Sequence, residues 1–199
     1  MRKLQIVLLC LLMASVGLLG AGCPRTTATG KVTVLFGSSA KSLSGALLAA
    51  VAPKSVVDTA DIESLTVTVT EIAILSADEA EAEDSAKADG GVIVFEGSQD
   101  LELISLAGLS EVFSTAEIPA GTYEQIRLTI ENPRLRLASD PETEITNVKL
   151  TAHGRLFVTE TFEVPADQNS LIELTFEDLH LVLTGNGRYV LTPQLSAAI

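Results

Sequence analysis

What most constrains the fold of this chain is a two-residue alternation of apolar and polar side chains that recurs from residue 31 onward. Side chains on a strand point to opposite faces in turn, so apolar residues at every second position mark a strand with one buried face. Val32, Val34 and Phe36 share one phase. Leu65, Val67 and Val69 alternate with Thr66, Thr68 and Thr70, after which the apolar phase passes to Ile72 and Ile74. One extra residue near Thr70-Glu71, a β-bulge, accounts for that slip. Val92 to Phe95 reads as a short and more buried run. Pro119-Ala120-Gly121-Thr122 is a turn into Ile126, Leu128 and Ile130, with Leu135 and Leu137 following Pro133. The same spacing continues through Val148, Leu156, Phe162, Ile172 and Leu179. Gly185-Asn186-Gly187 predicts a tight hairpin, because these residues tolerate positive φ.

About eight or nine short strands predict an all-β fold, an antiparallel β-sandwich of transthyretin-like or Ig-like kind. One stretch departs from the pattern. Leu43, Leu47, Leu48 and Val51 fall on one side of a short helix between Ser42 and Pro53. It is expected to close an open end of the sandwich. A second membrane contact would want a strongly basic polar face, and only Lys41 and Lys54 are nearby. Residues 77–91 carry Asp78, Glu79, Glu81, Glu83, Asp84 and Asp89 with no bulky apolar residue, the composition of an acidic loop.

The first 22 residues are different in kind. Arg2 and Lys3 precede an apolar run from Leu4 to Leu19, and the small residues Gly20, Ala21 and Gly22 lead to Cys23. This is the layout of a secretory signal peptide. Leu19-Gly20-Ala21-Gly22-Cys23 resembles the lipobox of bacterial lipoproteins, with Gly20 where leucine is commonest. The resemblance implies cleavage before Cys23 and lipid on its thiol. Two other readings are cleavage to a free thiol and retention as an anchor, since the run nearly reaches the ~20 residues of a spanning helix. Two or three acyl chains would hold the protein at a membrane, where one binds only marginally. The expected organisation is a signal peptide over 1–22, a lipidated tether over 23–29 and a β-sandwich over 30–199.

Charge and cysteine content narrow the partners and the chemistry. The formal net charge is −13, and loss of Arg2 and Lys3 makes it more negative by two. Such a surface repels nucleic acid and anionic headgroups and favours cations or basic partners. The two cysteines are Cys10 and Cys23, so the mature fold is expected to have no internal disulfide and no cysteine metal cluster.

Three segments carry a family resemblance: Leu65 to Ile72, Pro119 to Leu128, and Thr184 to Pro193. In order and spacing they resemble domain-of-unknown-function family 4382 over roughly residues 29–195. The resemblance implies a bacterial surface or periplasmic lipoprotein with one β-rich domain. It lends no activity. The family often has Asp-Ala-Pro after its first strand, where this chain has Gly37-Ser38-Ser39-Ala40. Pro119-Ala120-Gly121-Thr122-Tyr123 also resembles a motif that opens a strand in transthyretin-like and collagen-adhesin-B-type sandwiches, a likeness of fold alone.

Candidate chemistry is sparse. His153 and His180 are the chain's histidines, with no Gly-x-Ser-x-Gly element and no paired metal-ligand spacing. Calcium takes roughly six to eight oxygen ligands, so Asp78, Glu81, Asp84 and Asp89 are the candidates for it, although the loop lacks EF-hand order. Glu173, Glu177 and Asp178 offer paired carboxylates, but the chain has no Trp and two Tyr for a sugar cleft. Arg127, Arg134 and Arg136 share the polar phase of what reads as one hairpin. They are candidates for an anion or acidic-ligand patch, and the alternative is cross-strand pairing with Glu124, Glu131 or Glu173. The expected function is a membrane-tethered extracytoplasmic lipoprotein, non-enzymatic and without cofactor, that serves binding, adhesion or envelope support. Its partners are the membrane, through lipid on Cys23, and an envelope protein or surface polymer. Pro24 does not match the aspartate that retains such proteins at an inner membrane, so the outer membrane or cell surface is favoured. The alternative is a calcium- or carboxylate-dependent carbohydrate binder or a small extracytoplasmic hydrolase.

Overall fold

The computed structural model describes residues 28–38, 55–57, 61–77, 91–106 and 109–199. Cys23 and its leader, the expected helix over 42–53 and the calcium candidates Asp78, Glu81, Asp84 and Asp89 lie outside the described residues. The strands are β1 (Thr29–Ser38), β2 (Ser55–Val56), β3 (Ile62–Leu75), β4 (Val92–Glu102), β5 (Ser110–Pro119), β6 (Gly121–Leu137), β7 (Asp140–Ile145), β8 (Val148–Leu150), β9 (Arg155–Val164), β10 (Asn169–Leu183) and β11 (Tyr189–Ala198).

These strands form a two-sheet β-sandwich. Sheet A has the order β5-β1-β10-β11-β8, with β2 also pairing β10. Sheet B has the order β4-β3-β6-β7, with β9 also pairing β6. Most ladders are antiparallel, but β1 runs parallel to β10 and β11 runs parallel to β8. The alternating residues meet between the sheets: Val32, Val34 and Phe36 from β1, Leu65, Val67, Val69, Ile72 and Ile74 from β3, and Ile172, Leu174 and Phe176 from β10. Phe36 stacks on Phe176 and meets the ring of Phe113 edge-on.

Bulges set the faces. β3 pairs Val69 with Ile130 and Glu71 with Thr129, so Thr70 is the extra residue expected there. β6 is one 17-residue strand, not the hairpin expected around Pro133. Its own bulge lies between Glu131 and Arg134, where Asn132 has φ 47°. A left-handed residue at a bulge lets the strand bend and continue where a turn would have reversed it. Val92–Phe95 is also corrected: it opens an edge strand, and Ile93 is 44% exposed.

The two ends of the sandwich differ. Thr29 lies opposite Pro119, Gly121 opposite Val164, Lys31 opposite Asn169, Leu75 opposite Gln125 and Ile74 opposite Val92. The chain therefore enters the fold at the end where β3 finishes and β4 starts. At the other end lie the finish of β1, the start of β3 and the β10–β11 hairpin, closed as expected over Thr184–Arg188. At the entering end Ala120 N–H donates to Ala28 O at 2.8 Å. Tyr123 Oη donates to Pro119 O at 2.8 Å, a contact that pins the crossing from β5 to β6.

Candidate functional site

The outer face of sheet B carries the one set of sequence candidates that the fold brings together among the described residues. The bulge at Thr70 turns two successive side chains, Thr70 and Glu71, away from the core. Bulges re-aim side chains in this way beside functional sites. Glu71 stands opposite Glu96 on β4 and opposite Thr129 on β6, and Thr129 stands opposite Arg155 on β9. One row of side chains thus crosses four strands in the order Glu96, Glu71, Thr129, Arg155. Neighbouring strands are ~4.8 Å apart, so the row spans about 14 Å.

Arg127 lies one step along β6 and is 4% exposed. Its Nη2 lies 2.9 Å from Glu71 Oε1, and its Nε donates to the same oxygen at 3.0 Å. Thr70, Glu71, Glu96, Gly97, Arg127, Thr129 and Arg155 line a shallow depression of about 340 Å³. Carboxylates occupy its β4–β3 side and guanidinium groups its β6–β9 side. Beside it, Ala73 is flanked across the ladders by Ile93 and Arg127, and Arg127 by Phe157. Ile93 and Phe157 are both exposed apolar residues.

The other two arginine candidates lie on the same face and strand. Arg134 Nη2 contacts Asp100 Oδ2 at 2.5 Å, and Thr68 Oγ1 donates to Asp100 Oδ1 at 2.8 Å. The Arg134 hydrogen bond, then that of Thr68, holds the Asp100 carboxyl below its ordinary range, against a smaller opposing effect of burial. The Asp100 hydrogen bond holds the Arg134 guanidinium above its ordinary value. Arg136 Nη2 lies 3.2 Å from Glu144 Oε2 on β7. The cross-strand partners are therefore Glu71, Asp100 and Glu144, in place of the Glu124, Glu131 and Glu173 that spacing suggested. Glu173 is on the other sheet, where it accepts a hydrogen bond from Ser110 Oγ. Glu177 accepts one from Ser196 Oγ at 2.6 Å. His180 is exposed on β10, and His153 sits at φ 53° in the turn Thr151–Gly154.

Sequence reasoning missed Glu71, Glu96 and Arg155 as neighbours of Arg127. The bulge at Thr70 was the available signal for Glu71. Nothing local marks Arg155, which arrives through the β6–β9 ladder. Among the described residues no cluster of three His, Cys, Asp or Glu side chains is placed to hold a metal ion, and no helix is long and apolar enough to cross a membrane.

The sequence model of a family described as domain of unknown function (DUF4382) matches residues 53–193. No curated protein and no solved structure matches the chain.

Proposed function

This chain belongs to the DUF4382 family of domains of unknown function, and on that premise we propose that it is a membrane-tethered, extracytoplasmic binding module. Lipid on Cys23 anchors it, and the body serves adhesion, ligand capture or envelope support without catalysing a reaction. The observation that carries this reading is the short passage from Cys23 to the body. Five residues, Pro24 to Ala28, separate the lipobox cysteine from β1, and Ala28 is already bonded to Ala120. Extended, such a tether reaches at most about 18 Å. The end of the sandwich that receives the chain then faces the bilayer. The opposite end, with the β10–β11 hairpin and the finish of β1, faces away from it. A rigid sandwich that presents loops and sheet faces is a scaffold for binding. Binding is favoured over catalysis because the candidate arginines and Glu177 are held by neighbours, as in Arg127–Glu71, Arg134–Asp100, Arg136–Glu144 and Ser196–Glu177.

The test is expression of the full chain and of Cys23→Ser in a bacterium, followed by membrane fractionation, intact mass and cross-linking in intact envelopes. The expected result is a membrane-bound species that starts at Cys23 with added acyl mass, lost in Cys23→Ser, and cross-linked to an envelope component. A protein that starts at Cys23 without lipid, or that remains in the cytosol, removes the reading.

A further inference from the structure

We propose that the depression on sheet B is a binding site for an extended peptide segment with a basic side chain and, four residues away, an acidic one. Glu71 and Glu96 stand directly opposite each other across the β3–β4 ladder, an arrangement of like charges that is unfavourable when left alone. Arg127 compensates Glu71 through one carboxylate oxygen. Among the described residues Glu96 has no hydrogen-bond or ion-pair partner, and neither has Arg155 at the far side of the row. Arg127, Arg134 and Arg136 on the same face are all paired. The depression thus ends in an exposed carboxylate on β4 and an exposed guanidinium on β9, neither paired among the described residues, with the half-buried Arg127–Glu71 ion pair as its floor.

Side chains stand roughly perpendicular to a sheet, so the two free charges are separated by about the 14 Å between their strands. In an extended peptide, residues i and i+4 project from one face and lie ~13 Å apart. A Lys or Arg at i would meet Glu96 and the free side of Glu71, while an Asp or Glu at i+4 would meet Arg155. The exposed side chains of Ile93 and Phe157 border the same site and offer apolar contact to the residues between. This site holds whether or not Cys23 carries lipid, so it stands or falls separately from the tether.

The test is a calorimetric or NMR titration, at physiological salt, of end-blocked pentapeptides with small neutral residues at the three central positions. The Lys…Glu peptide is expected to bind more tightly than its Lys…Gln and Gln…Glu counterparts. Glu96→Gln and Arg155→Gln are each expected to weaken it about threefold, the scale of an exposed ion pair, with the exposed Glu142→Gln unchanged. Arg155→Glu is expected to reverse the preference in favour of a Lys…Lys peptide. Tightest binding of Lys…Lys to the wild type would show attraction to the acidic surface alone and overturn the proposal. So would equal binding by all the peptides, or no binding at millimolar concentration.

Discussion

Arg127 grips Glu71 with two of its nitrogens on one carboxylate oxygen, at 2.9 Å from Nη2 and 3.0 Å from Nε. The arginine side chain is 5% exposed and the glutamate 28%. A guanidinium this deep costs much to desolvate and is tolerated only while its partner remains.

Arg127→Met is therefore expected to destabilise the fold by about 2–4 kcal/mol, short of the largest values because Glu71 reaches water. Glu71→Gln combined with Arg127→Met is expected to recover part of that loss, since no charge is stranded. Urea unfolding of the two single variants and the double variant measures it. Equal loss in Arg127→Met and in the double variant would show that packing, and not charge, holds the site together.

Asp100 predicts an acid limb. Its carboxyl is lowered from the ordinary value of 3.8, first by the Arg134 hydrogen bond and then by that of Thr68. The unfolded chain therefore takes up its proton first as pH falls. The contribution of Asp100 to stability is fully present above that ordinary value and is lost as pH drops through the lower folded one. Asp100→Asn is expected to cost no more than about 1 kcal/mol at neutral pH, the range of an exposed pair. The gap between variant and wild type should close below pH 3.8. Denaturation midpoints taken across the acid range would show it, and a gap that widens toward low pH would refute the assignment.

Gly154 has φ +76°, and a Cβ added there would lie 2.0 Å from Ile130 O. Backbone cannot yield as a flexible side chain can, so Gly154→Ala is expected to cost about 3 kcal/mol or more. Gly121 meets nothing within 4 Å and serves as the control. Gly121→Ala should leave the thermal midpoint within a degree or two of the wild type. Similar losses at both positions would mean that the Gly154 turn relaxes.

A last prediction concerns length. β1 lies between β5 and β10 in the interior of sheet A, yet the family match begins at residue 53. A chain that starts at Ala28 is expected to fold cooperatively. A chain of residues 53–193 is expected to aggregate or stay unfolded, because β5 and β10 lose their shared partner and the core loses Val32, Val34 and Phe36. Circular dichroism and gel filtration decide between them, and a stable monomer from the shorter chain would make β1 dispensable.

Much of the architecture was legible locally. The phase of Val32, Val34 and Phe36, the slip at Thr70 and the Gly-Asn-Gly hairpin each depend on neighbours a few residues away, and all three appear in the fold. The site was legible only in part. Arg127, Arg134 and Arg136 were visible as a group, but their partners Glu71, Asp100 and Glu144 come from three different strands. Asn132 defeated the hairpin expectation because one left-handed residue lets a strand bend and continue where a turn was foreseen.

The sequence by itself determined that this chain makes strands, which side chains face inward, and that Cys10 and Cys23 are its cysteines. Those properties are set by alternation and composition, which act over a few residues. Only the tertiary structure decided that β1 would lie parallel to β10, that the chain would enter at the end where β3 meets β4, and that Glu96, Glu71, Thr129 and Arg155 would share one row. Register between strands that are distant in sequence follows from how two whole faces pack, and no short stretch of residues contains that information.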